Sequence, residues 1–164
     1  NGHYIRRADD SDLAARLRAL LPELEIGGWF ADRWNDARHA QLVEAMPGLK
    51  ERATTLLDLL ESARFLFAER PLEFEEKAVA LLTDEAKARL AALLPELESI
   101  ENWSLESVEE VVRAFGKKHE LKLGQIAQPI RAATTGKAQS PGVFDVMAVL
   151  GKSECIARIQ DQAA

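Results

Sequence analysis

With 164 residues, 47% of them hydrophobic and 29% charged, the chain has the composition of one globular domain or two small ones, which excludes a disordered or collagenous polypeptide. Its 27 acidic and 21 basic residues give a net charge of −6, which excludes a uniformly basic nucleic-acid coat. Cys155 is the only cysteine, so an intrachain disulfide and a thiolate zinc site are ruled out, and a reducing, cytoplasmic setting is expected.

The opening Asn1-Gly-His-Tyr-Ile-Arg-Arg has neither an initiator Met nor the order of a signal peptide, and an excised piece of a longer protein is expected. Leu13, Leu17, Leu20 and Leu21 then recur at helical spacing behind Asp9-Asp10-Ser11-Asp12, a cluster suited to the exposed N–H groups of a helix start. Leu49, Ala53, Leu56, Leu57, Leu60 and Ala63 continue one face of a further helix as far as Phe65-Leu66-Phe67, where Pro71 stops or redirects the chain. Thr83 predicts an N-cap, with Asp84 and Glu85 in the first turn and Ala86, Leu90, Leu93, Leu94 and Leu97 behind. Ser104 caps another helix, with Val108, Val111, Val112 and Phe115 on its buried stripe and an end at or soon after Gly116. Ile126 and Ile130 predict a shorter helix disturbed by Pro129, and Ser140-Pro141-Gly142 reads as a turn. Phe144, Met147 and Leu150, then Ile156 and Ile159, give two last helices. The fold class is therefore all-α, in two packed helical subdomains, 1–71 and 72–164. No apolar run reaches the roughly 20 residues of a membrane helix.

Charge is uneven. Between Arg113 and Lys137 six basic residues (Arg113, Lys117, Lys118, Lys122, Arg131, Lys137) face one acid, Glu120, in an otherwise acidic chain. Such a band can focus a polyanion, although Lys117 and Lys118 also suit a helix C-terminus. Signals for catalysis are missing. Gly151-Lys152-Ser153 mimics the end of a phosphate loop, but position 146, which needs glycine, is Val. His119-Glu120 begins like a zinc-protease helix, but Leu123 stands where the second histidine belongs, and no metal site is expected. Trp29, Trp34 and Trp103 read as plugs between helices rather than as stacking platforms.

The run Gln128-Pro129-Ile130-Arg131-Ala132-Ala133-Thr134-Thr135-Gly136, then Ser140-Pro141-Gly142-Val143-Phe144-Asp145-Val146, Leu150-Gly151-Lys152 and Ala157-Arg158-Ile159, closely resembles the C-terminal end of bacterial glutamyl-tRNA synthetases, class I enzymes. Trp103, Gly124, Glu51-Arg52-Ala53-Thr54-Thr55-Leu56 and the opening Asn1-Gly-His-Tyr-Ile extend the resemblance over essentially the whole chain. The resemblance implies a helical anticodon-binding region whose partner is the anticodon loop of glutamate tRNA, with no DNA, membrane or second copy of the chain expected. It implies further that the full-length form attaches glutamate to tRNA using ATP and Mg2+. This chain carries neither catalytic signature of the class and is expected to hold no cofactor and to be inactive alone. Among the matched positions, Arg131 would donate to base carbonyls or clamp a phosphate, with an ion pair between helices as the ordinary alternative. Ser140, Pro141 and Val143 would meet anticodon bases, the backbone reading base edges and the two apolar residues packing on base faces. Arg52 would read the third anticodon base, a cytosine. Lys117, Lys118, Lys122 and Lys137 are the candidates for phosphate contact. A helical protein-interaction domain with an acidic face, and a freestanding helical enzyme, are the competing readings. The motif at 128–152 favours the first.

Overall fold

The computed structural model describes residues 2–163, and the chain divides after Glu69 into two units, the second starting at Arg70. Twelve α-helices and one 3-10 turn account for the regular structure among the described residues, and no strand occurs there. None of the helices is long and apolar enough to cross a membrane.

The first unit holds α1 (Gly2–Arg7), α2 (Asp10–Leu20), a 3-10 turn (Leu21–Glu23), α3 (Gly27–Ala31), α4 (Asp36–Lys50), α5 (Leu56–Ser62) and α6 (Arg64–Phe67). Asp9 caps α2 by accepting from the Ser11 and Asp12 N–H groups, as the acidic cluster predicts. Leu13 and Leu17 of α2 are buried with Leu42, Met46 and Leu49 of α4, and Phe30 and Phe67 complete this core edge to face. The expected continuous helix from Leu49 to Ala63 is not formed. Lys50 ends α4, residues 51–55 turn, and Thr55 restarts the chain as a capping box with Asp58. Two threonines before a Leu-Leu-Asp run offer the backbone a hydrogen-bonded start, which outweighs an unbroken apolar stripe.

The second unit holds α7 (Glu76–Leu81), α8 (Asp84–Glu98), α9 (Leu105–Lys118), α10 (Leu123–Thr135), α11 (Val143–Leu150) and α12 (Lys152–Gln162). Thr83 and Ser104 cap α8 and α9 through the N–H groups of Ala86 and Ser107. The central helix is α10, which packs on α7, α8, α9, α11 and α12. Pro129 does not shorten it. The helix runs 13 residues through the proline, whose ring is buried beside Ile126 and Ile130. Contact with five neighbours compensates for one missing backbone hydrogen bond. Trp103 donates its indole N–H to the Met147 carbonyl, tying the start of α9 to α11. Trp34 is buried in the first unit and donates to His39 Nδ1. Trp29 is only half-buried, with the guanidinium groups of Arg33 and Arg64 4.3 and 4.6 Å from its ring centre.

Candidate functional site

The candidate site of the second unit lies toward the C-terminus of α10. The last four carbonyls of a helix lack intrahelical partners, and here those of Ala132 and Thr134 are taken by named groups, while two hydroxyls reinforce the carbonyls one turn earlier. The Thr134 hydroxyl donates to the Ile130 carbonyl and the Thr135 hydroxyl to that of Arg131, both at 2.7 Å. The Gly136 N–H donates to Ala132 at 2.8 Å, and Arg158 Nη1 reaches the Thr134 carbonyl at 2.7 Å. Arg158, 2% exposed, also donates from Nε to Glu154, so a buried cation of α12 closes the end of α10. Gly136 stands at φ +74°. Its carbonyl accepts from the Glu75 N–H at 3.0 Å, while Glu75 Oε1 accepts from the Ala138 N–H at 2.8 Å. The loop leaving α10 is thereby strapped to the extended segment before α7.

Arg131 stands one turn back from this closed end, half-buried. Its Nε donates to Ser140 Oγ at 2.9 Å and its Nη1 to Gln128 Oε1 at 3.2 Å. The Ser140 hydroxyl in turn donates to the Pro141 carbonyl at 2.7 Å. The structure therefore brings Arg131 and the Ser140–Val143 turn together, and the arginine bridges α10 to the turn. Pro141 is half-buried at the surface of that turn and Gly142 is exposed. Val143 is not available for packing on a base. It is 6% exposed and opens α11 facing inward with Val146 and Met147, because α11 is buried against α9, α10 and α12. Asp145 leans back over Gly142, where an added Cβ would lie 2.6 Å from its carboxylate oxygen. Phe144 is half-buried beside the turn, with the Arg113 guanidinium 5.9 Å from its ring centre.

The basic band is divided by α10. Lys117 and Lys118 are exposed in the last turn of α9, Lys118 lying 3.8 Å from Glu96, and Lys122 is exposed just before α10. Lys137, half-buried, follows the other end of α10. Thirteen helical residues place these ends about 20 Å apart. Lys137, and Arg113 through its place near the Phe144 ring, are the members of the band on the side of Arg131 and the turn.

In the first unit Arg52 lies on the exposed turn 51–55. Asp58 organises that turn. One carboxylate oxygen, Oδ2, accepts from the Thr54 hydroxyl at 2.6 Å, the Thr54 N–H at 3.3 Å and the Thr55 N–H at 3.2 Å, and the Thr55 hydroxyl accepts the Asp58 N–H at 3.0 Å. These bonds, the Thr54 hydroxyl first among them, hold the Asp58 carboxyl below its usual 3.8. Sequence reasoning did not single out Asp58, although Thr-x-x-Asp is the spacing of a capping box. It also missed the structural weight of Arg158, which looks like an exposed helical cation until α12 is seen against α8 and α10.

Among the described residues no group of three or more His, Cys, Asp or Glu is arranged to hold a metal ion. Lys152 donates to the carbonyls of Glu98 and Ile100 at the end of α8, a structural use of the Gly-Lys-Ser segment.

A family model described as an anticodon binding domain matches residues 12–163. The chain is 53% identical over 163 residues to glutamate–tRNA ligase 1 of Beijerinckia indica, covering 99% of this chain and 34% of that protein. It is 49% identical over 164 residues to the glutamate–tRNA ligase of Nitrobacter hamburgensis, covering 100% of this chain and 35% of that protein. It thus spans about a third of the length of these curated relatives. A crystal structure of a glutamate tRNA ligase from Elizabethkingia meningosepticum in complex with its amino acid superposes with a TM-score of 0.77, covering 99% of this chain and 30% of that one at 23% identity, a likeness of fold. Because this family model matches residues 12–163, nearly the whole chain, the chain belongs to the anticodon-binding domain family.

Proposed function

We propose that the chain grips the anticodon loop of glutamate tRNA as part of a glutamate–tRNA ligase working in the cytoplasm. The bond from Arg131 to Ser140 carries this reading, because it unites the two strongest motif segments at one place on the surface. A guanidinium donates to the carbonyl edges that unstacked bases expose, and the neighbouring turn offers backbone groups and the Pro141 ring. Phosphate contact falls to Lys137 nearby and, at the other end of α10, to Lys117, Lys118 and Lys122. In the first unit Arg52 reads the third anticodon base, a cytosine, through its acceptor edge. The subdomains 1–71 and 72–164 each supply one of these arginines, and a single copy of the chain is enough.

Attachment of glutamate with ATP and Mg2+ belongs, in this reading, to the parts of the relatives that the chain does not span.

The test is binding of the chain to an RNA hairpin bearing the glutamate anticodon loop, with a hairpin changed only at the third base as control. Preference for the unchanged hairpin supports the reading. Equal or absent binding refutes it.

A further inference from the structure

Arg52 is not the only cation at its turn. An added Cβ on Gly2 of α1 would lie 3.0 Å from Arg6 Nη1, 3.3 Å from the Ala53 carbonyl oxygen and 3.6 Å from the Thr54 Cα. The Arg6 guanidinium and the backbone just after Arg52 therefore lie side by side at Gly2, and it is the lack of a side chain there that lets them come this close. Arg6 is exposed and makes no ion pair among the described residues. Asp58, the acid that organises the turn, gives its Oδ2 to Thr54 and Thr55. Ile5 is buried, which fixes α1 in rotation and keeps Arg6 on the side of the turn. Arg7 points elsewhere, since the next residue of a helix is turned about 100° away.

We propose that Arg6 and the 52–55 turn form a composite site for single-stranded RNA, in which Arg6 holds a phosphate of the nucleotide whose base meets Arg52. A guanidinium beside the backbone of the turn that carries a second arginine matches a nucleotide better than a free anion. One group addresses the phosphate, the other addresses the base, and the Asp58 box keeps the turn from collapsing between them. The inference rests on the proposed function and deepens it.

The experiment measures affinity of the whole chain for the same two hairpins across a salt series, in the wild type and in Arg6→Ala, Arg6→Lys, Arg7→Ala and Arg52→Ala. A phosphate contact contributes about 0.7 to the slope of log affinity against log salt for single-stranded RNA. Arg6→Ala should weaken binding to both hairpins by the same factor, about tenfold at low salt, and reduce the slope by roughly that amount. Arg6→Lys, which keeps the charge, should recover most of the slope. Arg7→Ala should change neither quantity, and Arg52→Ala should abolish the preference between hairpins. Unchanged affinity and slope in Arg6→Ala, with wild-type preference intact, overturns the inference and leaves the proposed function standing. Equal losses in Arg6→Ala and Arg7→Ala also overturn it, since net charge would then explain the effect. A wild-type chain that binds neither hairpin overturns both.

Discussion

Replacing Gly136 by alanine tests the strap that ends α10. The backbone there is left-handed, and a non-glycine residue in that conformation costs about 1–2 kcal/mol. The methyl group would also lie 2.2 Å from the Glu73 carbonyl oxygen, against at least 3.4 Å for ordinary contact, so the segment before α7 must withdraw. Withdrawal strains two hydrogen bonds, Glu75 N–H to Gly136 and Ala138 N–H to Glu75, each contributing about 0.5–1.5 kcal/mol. Gly136→Ala should therefore destabilise the second unit by about 2–5 kcal/mol. Urea unfolding followed by hydrogen exchange in α10 and α12 peptides measures this unit directly. Gly136→Asn separates the two causes, because asparagine tolerates the left-handed region yet still carries a Cβ. A loss below about 1 kcal/mol in Gly136→Ala would refute the reasoning, and a wild-type stability in Gly136→Asn would refute the steric half of it.

Arg131→Ala should cost about 1–3 kcal/mol of discrimination between anticodon hairpins, whereas Lys137→Ala should lower affinity for all hairpins alike and flatten the salt dependence, both read by titration at several salt concentrations. The lowered Asp58 carboxyl stabilises the folded turn at pH above its usual 3.8, and that contribution is lost as pH falls through the still lower folded value; amide resonances of Thr54 and Thr55 should shift together there, and should no longer do so in Asp58→Asn. The Cys155 thiol is pushed up to about 12 by burial, so thiol reagents at pH 8 should modify it only in denaturant, as mass spectrometry would show.

Caps and apolar spacing were legible in the amino-acid order because they depend on neighbours in sequence. Asp9, Thr83 and Ser104 each accept the N–H bonds expected of them. The break between α4 and α5 was less legible because Leu49, Ala53, Leu56 and Leu60 keep helical spacing across it, and only the Thr55–Asp58 pair decides the outcome. Pro129 misled for the opposite reason. Its local cost is plain in the sequence, whereas the five helices that pack on α10 are not. The meeting of Arg131 with Ser140 follows from a short loop after a helix end. Val143 points inward because α11 is covered on several sides, a fact of tertiary packing that no local pattern carries. The charge band was visible as a run of residues, but its division by the length of α10 emerges only once the helix is seen to be continuous.

The closed end of α10 has a thermodynamic consequence for Arg131. Its own carbonyl is bound by the Thr135 hydroxyl and its guanidinium is braced by Ser140 and Gln128. An unrestrained arginine carries about 2 kcal/mol of rotamer entropy, which a ligand would otherwise have to remove on binding. Here folding has already removed much of it. In the proposed role the arginine meets RNA as a preorganised donor, so the fit or misfit of a base is felt in full and is not blunted by a side chain free to swing toward a second-best partner.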